Sequence, residues 1–335
     1  MIRLPAEWEK QTGIWLSWPL IDTHWAHLTS SSIQEKWAEI AAIISRTQRV
    51  FINTHPSMEP QITKQLSKQG AVTNNISIYE HPNDDVWCRD HGAIFIKEND
   101  KTIATNWGFN GWGENFTPYN LDNLLPQKMA KSQGIPLQEY SEVLEGGAIE
   151  SNGRGTIMTT RAVLLNSNRN PHLDQRGVEQ VLNERLGAEK IIWLQDGILG
   201  DDTGGHIDDI ARFVGANTVL MSTDPNGPNK ASLEANYLLL RDQSDLEVLM
   251  LPMPQACEIP GWRLPTLPAS YVNFLITNET VLVPTFRQPK NDDRALAMIQ
   301  EQFPSREVIG IDSLDIVSEG GALHCISMQQ PTDSN

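Results

Sequence analysis

The chain has few cysteines, few basic residues and no long apolar run, and each shortage excludes a class of protein. Its 335 residues include 3 cysteines, at 88, 257 and 325, which are too few and too widely spaced for a disulfide framework or a four-cysteine zinc site. No segment approaches the roughly 18 apolar residues of a membrane helix, so no membrane partner is expected. The first residues lack the basic-then-apolar layout of a signal peptide, which favours a cytoplasmic location.

Basic residues are outnumbered, since 26 Lys and Arg against 42 Asp and Glu give a formal net charge of −16. A surface of that sign repels phosphate backbones, so nucleic acid is not an expected partner, whereas cations are attracted. Hydrophobic residues at 39% and charged residues at 20% are typical of a folded chain. Because no linker or charge run divides the sequence, we expect residues 1–335 to form a single domain. The sequence is compatible with a homo-oligomer as well as with a monomer.

A repeat is the most informative feature. The tetrapeptide EGGA occurs at Glu145–Ala148 and again at Glu319–Ala322, each time before a predicted strand. Similar acidic or glycine-rich turns precede other predicted strands. Anchors for the five turns are Asp90, Gly147, His206, Ser270 and Gly321, with separations of 57, 59, 64 and 51 residues. Five such units, each mixing strand and helix, indicate a closed radial array.

Hydrophobic periodicity locates further elements between these turns. Helices are predicted near 57–69, 172–187, 229–243 and 292–303. Strands are predicted at 50–53, 76–79, 157–160, 191–194, 219–222 and 248–251, and a hairpin turn at 278–279.

The turns carry an unusual set of side chains: Asp90, Glu145, His206, Asp208 and Cys325. In a radial array these residues converge near the axis. A cysteine can attack an electrophilic carbon, and a histidine can move protons to a leaving group and from a water. Several carboxylates beside them suit a planar cation, because a guanidinium presents its donors in a fork that carboxylates accept in pairs.

Each residue also has a structural interpretation. Cys325 lies in an apolar stretch and could be a buried small hydrophobe. Asp90 could pair with the adjacent Arg89. Glu145 and Glu319 occupy equivalent repeat positions, so one of them could serve only the architecture. His206 could be a turn histidine or, with Asp201, Asp202 and Asp208, a metal ligand.

With these residues in view, the sequence resembles the agmatine deiminase and bacterial peptidylarginine deiminase family of the guanidino-group-modifying superfamily. The resemblance spans essentially the whole chain. Its landmarks are the stretches 85–92 (DVWCRDHG), 106–113 (NWGFNGWG), 144–147 (LEGG), 168–171 (NRNP), 202–208 (DTGGHID), 268–274 (PASYVNF) and 320–325 (GGALHC).

The resemblance implies a five-fold pseudosymmetric α/β propeller, the pentein fold, in agreement with the repeat count. It implies a cofactor-free, metal-free hydrolase in which Cys325 is the nucleophile and His206 transfers protons. Asp90 and Asp208 would hold the guanidinium, while Glu145 would orient the guanidinium or His206. Trp87 and Trp112 would contact the substrate.

The leading substrate by resemblance is agmatine, a small cationic guanidine whose deimination belongs to putrescine and polyamine biosynthesis. The net charge of −16 suits a dication. Free arginine or a peptidyl arginine is the alternative on the same scaffold, although no Arg-rich carboxylate receptor is evident. Two other classes stay open. One is a metal-dependent hydrolase using His206, Asp208 and Asp202, and the other is a catalytically silent binding protein.

Overall fold

The computed structural model describes residues 2–20, 30–259, 263–264 and 266–333, and these form a mixed α/β protein, as expected. The strands are β1 (Ile2–Arg3), β2 (Gln11–Ser17), β3 (Arg49–Asn53), β4 (Ile76–Tyr79), β5 (Ile94–Glu98), β6 (Lys101–Gly108), β7 (Leu137–Val143), β8 (Ile149–Ser151), β9 (Thr156–Thr160), β10 (Lys190–Leu194), β11 (Ala211–Gly215), β12 (Thr218–Thr223), β13 (Glu247–Pro252), β14 (Leu275–Ile276), β15 (Thr280–Thr285), β16 (Glu307–Asp312) and β17 (Ser327–Pro331). The helices are α1 (Ser30–Ser45), α2 (Glu59–Lys68), α3 (Cys88–His91), α4 (Gly111–Glu114), α5 (Leu125–Gln133), α6 (Arg161–Leu164), α7 (Gln175–Leu186), α8 (Lys230–Arg241), α9 (Pro289–Gln302) and α10 (Leu314–Val317). None of the helices in this described part is long and apolar enough to cross a membrane.

The strands form five sheets that repeat one pairing plan. In each sheet a first strand pairs antiparallel with a second, which pairs parallel with a third. The triplets are β5–β6–β7, β8–β9–β10, β11–β12–β13, β14–β15–β16 and β17–β2–β3. Parallel neighbours need a crossover connection, and helices α5, α7, α8, α9 and α1 lie in the five crossovers. Each first strand begins two to six residues after one of the five anchor residues, so the predicted five-unit repeat is confirmed.

The local predictions are also confirmed closely. All six predicted strands agree with observed strands to within one residue at each end. The four predicted helices correspond to α2, α7, α8 and α9, and the turn at 278–279 joins the antiparallel strands β14 and β15. Helix α5 and strand β7 were not predicted.

Helix α7 illustrates why these segments fold as they do. Asp174 caps its first turn by accepting a hydrogen bond from the backbone N–H three residues ahead, and Gly187 ends it with a φ of 72°. Val178, Leu182 and Leu186 recur at helical spacing and are buried. One face of the helix therefore covers its sheet.

The fifth sheet joins the two ends of the chain. Strand β17 pairs antiparallel with β2, placing Ser327 opposite Leu16 and Met328 opposite Trp15. The indole Nε1 of Trp15 donates to Gln330 Oε1 at 2.9 Å. The last described strand therefore completes a sheet whose other strands come from the first eighty residues.

A buried arginine ties several sheets together. Arg212, on β11, is fully buried and donates to Glu150 on β8 (Nε–Oε2 2.8 Å), to Glu7 (Nη2–Oε2 2.5 Å) and to the carbonyl oxygen of Phe274 (2.8 Å). Burial raises the pKa of Glu7, but Arg212, His324 and Arg89 outweigh it and lower that pKa below its ordinary value. Glu7 is therefore a buried carboxylate compensated by buried cations.

Candidate active site

Five turns, each leading into one sheet, come together around Cys325. They are residues 87–91 before β5, 145–148 before β8, 206–209 before β11, 270–274 before β14 and 319–325 before β17. The backbone N–H of Gly147 donates to Asp90 Oδ1 at 2.9 Å, and that of Arg89 donates to the carbonyl oxygen of Cys325 at 3.0 Å. Arg89 and Cys325, 236 positions apart, are thus neighbours, as expected if the turns converge.

A pocket opens onto the sulfur of Cys325. Its lining residues are Asp85, Trp87, Asp90, Trp112, Phe116, Asp202, Thr203, Arg263, Glu319, Gly320, Gly321 and Cys325. Both predicted substrate-contacting tryptophans lie in this lining, while Glu145, His206 and Asp208 are buried beside it.

Asp90 is held in place by two donors. Its Oδ1 accepts from the backbone of Gly147, and its Oδ2 accepts from Trp112 Nε1 at 3.0 Å. Asp90 does not form an ion pair with Arg89. The Arg89 guanidinium instead donates to Gln329 (Nη1–Oε1 2.6 Å). Asp90 is therefore presented to the pocket by Trp112.

The ring of His206 is buried among carboxylates. Its Nδ1 lies 3.6 Å from Asp90 Oδ1, and within the described part of the chain neither ring nitrogen has a hydrogen-bond partner. Burial lowers the pKa of His206, but four nearby carboxylates outweigh this effect, and the net shift is upward. The carboxylates belong to Asp90, Asp208, Glu145 and Asp201. A protonated imidazole in this position can act as a general acid.

Asp208 is oriented by a second histidine that sequence reasoning did not single out. His324 Nδ1 lies 2.7 Å from Asp208 Oδ2, and its Nε2 lies 2.8 Å from Glu7 Oε2. Burial raises the pKa of Asp208, but its hydrogen bond with His324 and the nearby His206 outweigh it, so the pKa is lowered. Asp208 is therefore a carboxylate, and its buried Oδ1 has no hydrogen-bond partner among the described residues.

Glu145 is fully buried and fixed by Arg169. Its Oε1 accepts from Arg169 Nε at 2.7 Å, and Arg169 Nη2 also donates to the carbonyl oxygen of Thr203 at 2.7 Å. The other oxygen, Oε2, has no hydrogen-bond partner within the described ranges. One carboxylate oxygen is thus used for orientation and the other is available for chemistry.

Cys325 is 5% exposed and surrounded by acids. Its sulfur lies 3.7 Å from Asp208 Oδ2 and 3.1 Å from Asn273 Nδ2. Burial, together with Asp208, Asp209 and Asp90, raises the pKa of the thiol well above its ordinary value. The resting state is a thiol.

Two glycines of the EGGA repeats make this crowding possible. A Cβ on Gly147 would lie 2.6 Å from His206 Nδ1, and a Cβ on Gly321 would lie 2.5 Å from the ring of Trp87 and 2.9 Å from Cys325 Cβ. Their φ values do not require glycine, and the physical reason at both positions is the close approach of the reactive side chains.

The more exposed part of the pocket is acidic around one arginine. The side chains of Arg263 and Asp202 form an ion pair and are 36% and 27% exposed, and Arg263 Nη2 lies 3.5 Å from Glu319 Oε2. Burial raises the pKa of Glu319 to about 7, with Asp85 and Asp202 adding to the increase and Arg263 opposing it. Among the residues that the structure describes, three acids against one arginine make this end acidic. Glu319, the second repeat glutamate, therefore lines the pocket too.

The metal hypothesis is not favoured by the geometry. Of the described residues, Asp208, Asp209 and Cys325 bring ligand atoms within 4.8 Å of one another, whereas His206 and Asp202 do not belong to that group. Burial and neighbouring acids raise the pKa of Asp209 well above its ordinary value, so a proton competes with a cation for this carboxyl group.

The chain was compared with known proteins. The family model described as Porphyromonas-type peptidyl-arginine deiminase matches residues 3–331. The chain belongs to this family. The resemblance inferred from the sequence is therefore confirmed.

Relatives of known name agree with that membership. The chain is 35% identical to an agmatine deiminase of Pseudomonas fluorescens, over 98% of this chain and 95% of the relative. A substrate-bound agmatine deiminase variant of C. jejuni superposes with a TM-score of 0.91 at 30% identity, covering 100% of this chain and 98% of that one. The agmatine deiminase of Enterococcus faecalis also gives 0.91 at 30% identity, covering 99% and 96%.

Five residues of the site were missed by sequence reasoning: Glu7, Arg169, Arg263, Asn273 and His324. Arg169 and Asn273 lie within stretches that carry the family resemblance, and His324 precedes the cysteine, so position alone could have drawn attention to them. Glu7 lies in the stretch 5–8 (PAEW), where the family resemblance begins, but nothing in the sequence connects that stretch or Arg263 with the pocket.

Proposed function

We propose that this chain is an agmatine deiminase, which hydrolyses agmatine to N-carbamoylputrescine and ammonia. The observation that carries the proposal is a buried thiol, Cys325, 3.7 Å from the Asp208 carboxylate, in a site where Asp208 Oδ1 and Glu145 Oε2 have no hydrogen-bond partner among the described residues. The names of the solved and curated relatives support the same reaction.

Buried carboxylate oxygens without partners are costly, and a ligand that donates hydrogen bonds to them recovers that cost. A guanidinium is such a ligand, because it is a planar cation with donors on every nitrogen. We infer that Asp90 and Asp208 hold the guanidinium nitrogens, that Glu145 orients the cation or His206, and that Trp87 and Trp112 contact the substrate.

In the proposed reaction Cys325 releases its thiol proton to solvent as the cationic substrate binds, and the thiolate attacks the central guanidinium carbon and forms a C–S bond. A C–N bond then breaks, and ammonia leaves with a proton from His206. The remaining S-alkylthiouronium is attacked by water, whose proton returns to His206. The C–S bond breaks, releasing the ureido product and the thiolate.

Because acids surround Cys325, binding of a cationic substrate favours formation of the Cys325 thiolate. A raised thiol pKa leaves little thiolate in the free protein. A guanidinium bound between Asp90 and Asp208 introduces positive charge beside the sulfur and opposes the effect of those carboxylates. Cationic substrates therefore favour the reactive form.

The exposed end of the pocket supports agmatine over arginine. Asp85, Asp202 and Glu319 surround the single Arg263, so the local balance is negative and suits a distal ammonium. Arginine or a peptidyl arginine would instead present a carboxylate or an amide there. Arg263 could receive a carboxylate only by leaving Asp202.

The scaffold supports the same proposal. We infer that the five sheets are the blades of a pentein-type α/β propeller, with β17 and β2 joining the ends of the chain, and that residues 1–335 form one catalytic domain. The reaction assigns the chain to putrescine and polyamine biosynthesis, for which a cytoplasmic location is expected.

The proposal is tested by incubating the protein with agmatine, arginine and a blocked arginyl peptide, and by measuring ureido product from each. We expect agmatine to be the preferred substrate, with the reaction unaffected by chelator and abolished by iodoacetamide. Preference for arginine or the peptide would assign the chain to the alternative deiminases. Loss of activity on chelation would favour a metal-dependent hydrolase, and no ureido product from any guanidine would contradict a deiminase.

A further inference from the structure

The sulfur of Cys325 must become an anion in an acidic environment. Asp208, Asp209 and Asp90 act on it directly, and these acids in turn interact with His206, Glu145 and His324. Carboxylates oppose thiolate formation, and thiolates depend on nearby donors or positive charge. A donor that touches the sulfur directly would therefore matter for the reaction.

Asn273 provides such a donor. It lies two residues before β14 and is fully buried. Its Nδ2 is 3.1 Å from Cys325 Sγ and 2.9 Å from Asp209 Oδ1. Its Oδ1 accepts from the backbone N–H groups of His324, at 2.9 Å, and Cys325, at 3.4 Å. Both polar atoms of the side-chain amide thus form hydrogen bonds. Their partners are Asp209 and the turn that carries Cys325.

The orientation of this amide follows from its partners. Two backbone N–H groups point at one end of the Asn273 side chain, and an N–H can only donate, so the oxygen must lie at that end. The NH₂ group therefore faces the sulfur and Asp209. A flipped amide would set donors against the N–H groups of both His324 and Cys325.

Asp209 supports this arrangement. Burial, Asp208 and Asp201 raise its pKa well above the ordinary value and so favour its protonated form. Its Oδ1 fixes one amide hydrogen, which leaves the other directed at Cys325. Asp209 thus holds the Asn273 amide in the orientation that presents an N–H to the Cys325 sulfur.

We propose that Asn273 is a catalytic residue whose side-chain amide donates a hydrogen bond to the Cys325 sulfur, stabilising the thiolate that attacks the guanidinium carbon and later leaves it. This inference rests on the proposed role of Cys325 as nucleophile. It adds a group that touches the reacting atom and that no charge pattern in the sequence reveals.

The test uses Asn273→Ala and Asn273→Ser. Serine can accept from a backbone N–H but is too short to reach the sulfur. Asn236→Ala is the matched control, because Asn236 is equally buried and its amide likewise binds backbone groups, at Gln195 and Asp196, away from the pocket. Alkylation of Cys325 by iodoacetamide is followed between pH 6 and pH 10 without substrate, by mass spectrometry of the Cys325 peptide, and melting temperatures are recorded.

We expect both Asn273 variants to shift the alkylation profile upward by about one pH unit or more, which lowers the rate at pH 8 about tenfold. With agmatine, kcat should fall at least about tenfold while KM changes little, because Asn273 does not line the pocket. The control should keep the wild-type profile even if its melting temperature falls.

An unchanged alkylation profile in the two variants would overturn the inference and leave Asn273 a structural residue. Alkylation needs no substrate, so it reads the thiol independently of the deiminase assay. If the Asn273 variants show the expected alkylation shift but the wild-type protein turns over no guanidine, the proposed function is contradicted instead.

Discussion

Asp90 and Asp208 are both buried carboxylates, but they are held differently. Asp90 uses both oxygens to accept from Gly147 and Trp112, whereas Asp208 uses one oxygen for His324 and has the other available. If each also accepts from a guanidinium, both contacts are charge-assisted. Such hydrogen bonds contribute about 1.5–3 kcal/mol each.

Asp90→Asn or Asp208→Asn should therefore lower kcat/KM about ten- to hundredfold, because each places a donor opposite a donor at nearly unchanged size. The loss should be similar for agmatine and arginine, since both present the same planar cation. Steady-state kinetics of the two variants measure this. Asp312→Asn, in an exposed pair with Arg287, serves as the control and should be silent.

Near-normal kcat/KM in either variant would make that carboxylate structural. Recovery of activity on adding divalent cations would favour a metal site over a guanidinium clamp.

Glu319 gives the exposed end of the pocket a pH dependence. Its pKa is raised to about 7, so it is mostly protonated below that pH and mostly a carboxylate above it. A distal ammonium should therefore bind more tightly as pH rises through 7. Calorimetry of agmatine binding to Cys325→Ser, which cannot turn over by the proposed route, should give several-fold higher affinity at pH 8 than at pH 6.

Adding Glu319→Gln to the Cys325→Ser background should remove most of that difference. Equal affinities at the two pH values in Cys325→Ser itself would show that Glu319 does not contact the distal group.

The sequence alone located the site residues that lie on the repeated turns, but it did not reveal the residues that hold them in position. Cys325, His206 and Asp90 were recognisable because the repeat aligns their positions. Glu7 was not, because its partner His324 lies 317 residues away, and no local pattern encodes that contact. Asn273 was not singled out either, since an amide has no charge to attract attention and its role depends on which way it faces.

Among the elements, prediction succeeded where the burial pattern was simple. Strand β9 is buried throughout and β12 is buried except at its two ends, and their bounds were predicted to within one residue. Strand β7, with sequence LQEYSEV, has no buried residue and lies at the edge of its sheet, so its composition does not indicate a strand. Its place is determined by parallel pairing with β6 rather than by its own side chains.

The buried ion pairs between sheets make a stability prediction. Arg212→Leu should leave the carboxylates of Glu7 and Glu150 without their principal cation, and breaking a buried pair in this way costs about 3–5 kcal/mol. Arg287→Leu, which removes an exposed cation from Asp312 and Asp315, should cost less than about 1 kcal/mol. Denaturant unfolding of both variants measures the free energies, and comparable losses would contradict the assigned role of Arg212.

At the scale of the whole molecule, the net charge of −16 should influence encounter with substrate. Attraction between a negative protein and a dication is screened by salt, with a Debye length of about 30 Å at 0.01 M and about 10 Å at 0.1 M. We expect kcat/KM for agmatine to fall several-fold between these salt concentrations while kcat stays constant. A salt-independent kcat/KM would mean that net charge plays no part in recruiting substrate.

The covalent step is the part of the account on which the other roles depend. Rapid acid quenching during turnover of agmatine, followed by mass spectrometry, should reveal protein heavier by the mass of agmatine less ammonia, with the adduct on the peptide that contains Cys325. Cys325→Ser should show no adduct and should lose turnover by orders of magnitude, because an alcohol is a far weaker nucleophile than a thiolate. Turnover of agmatine by Cys325→Ser at more than a tenth of the wild-type rate, or an adduct on another residue, would contradict the account.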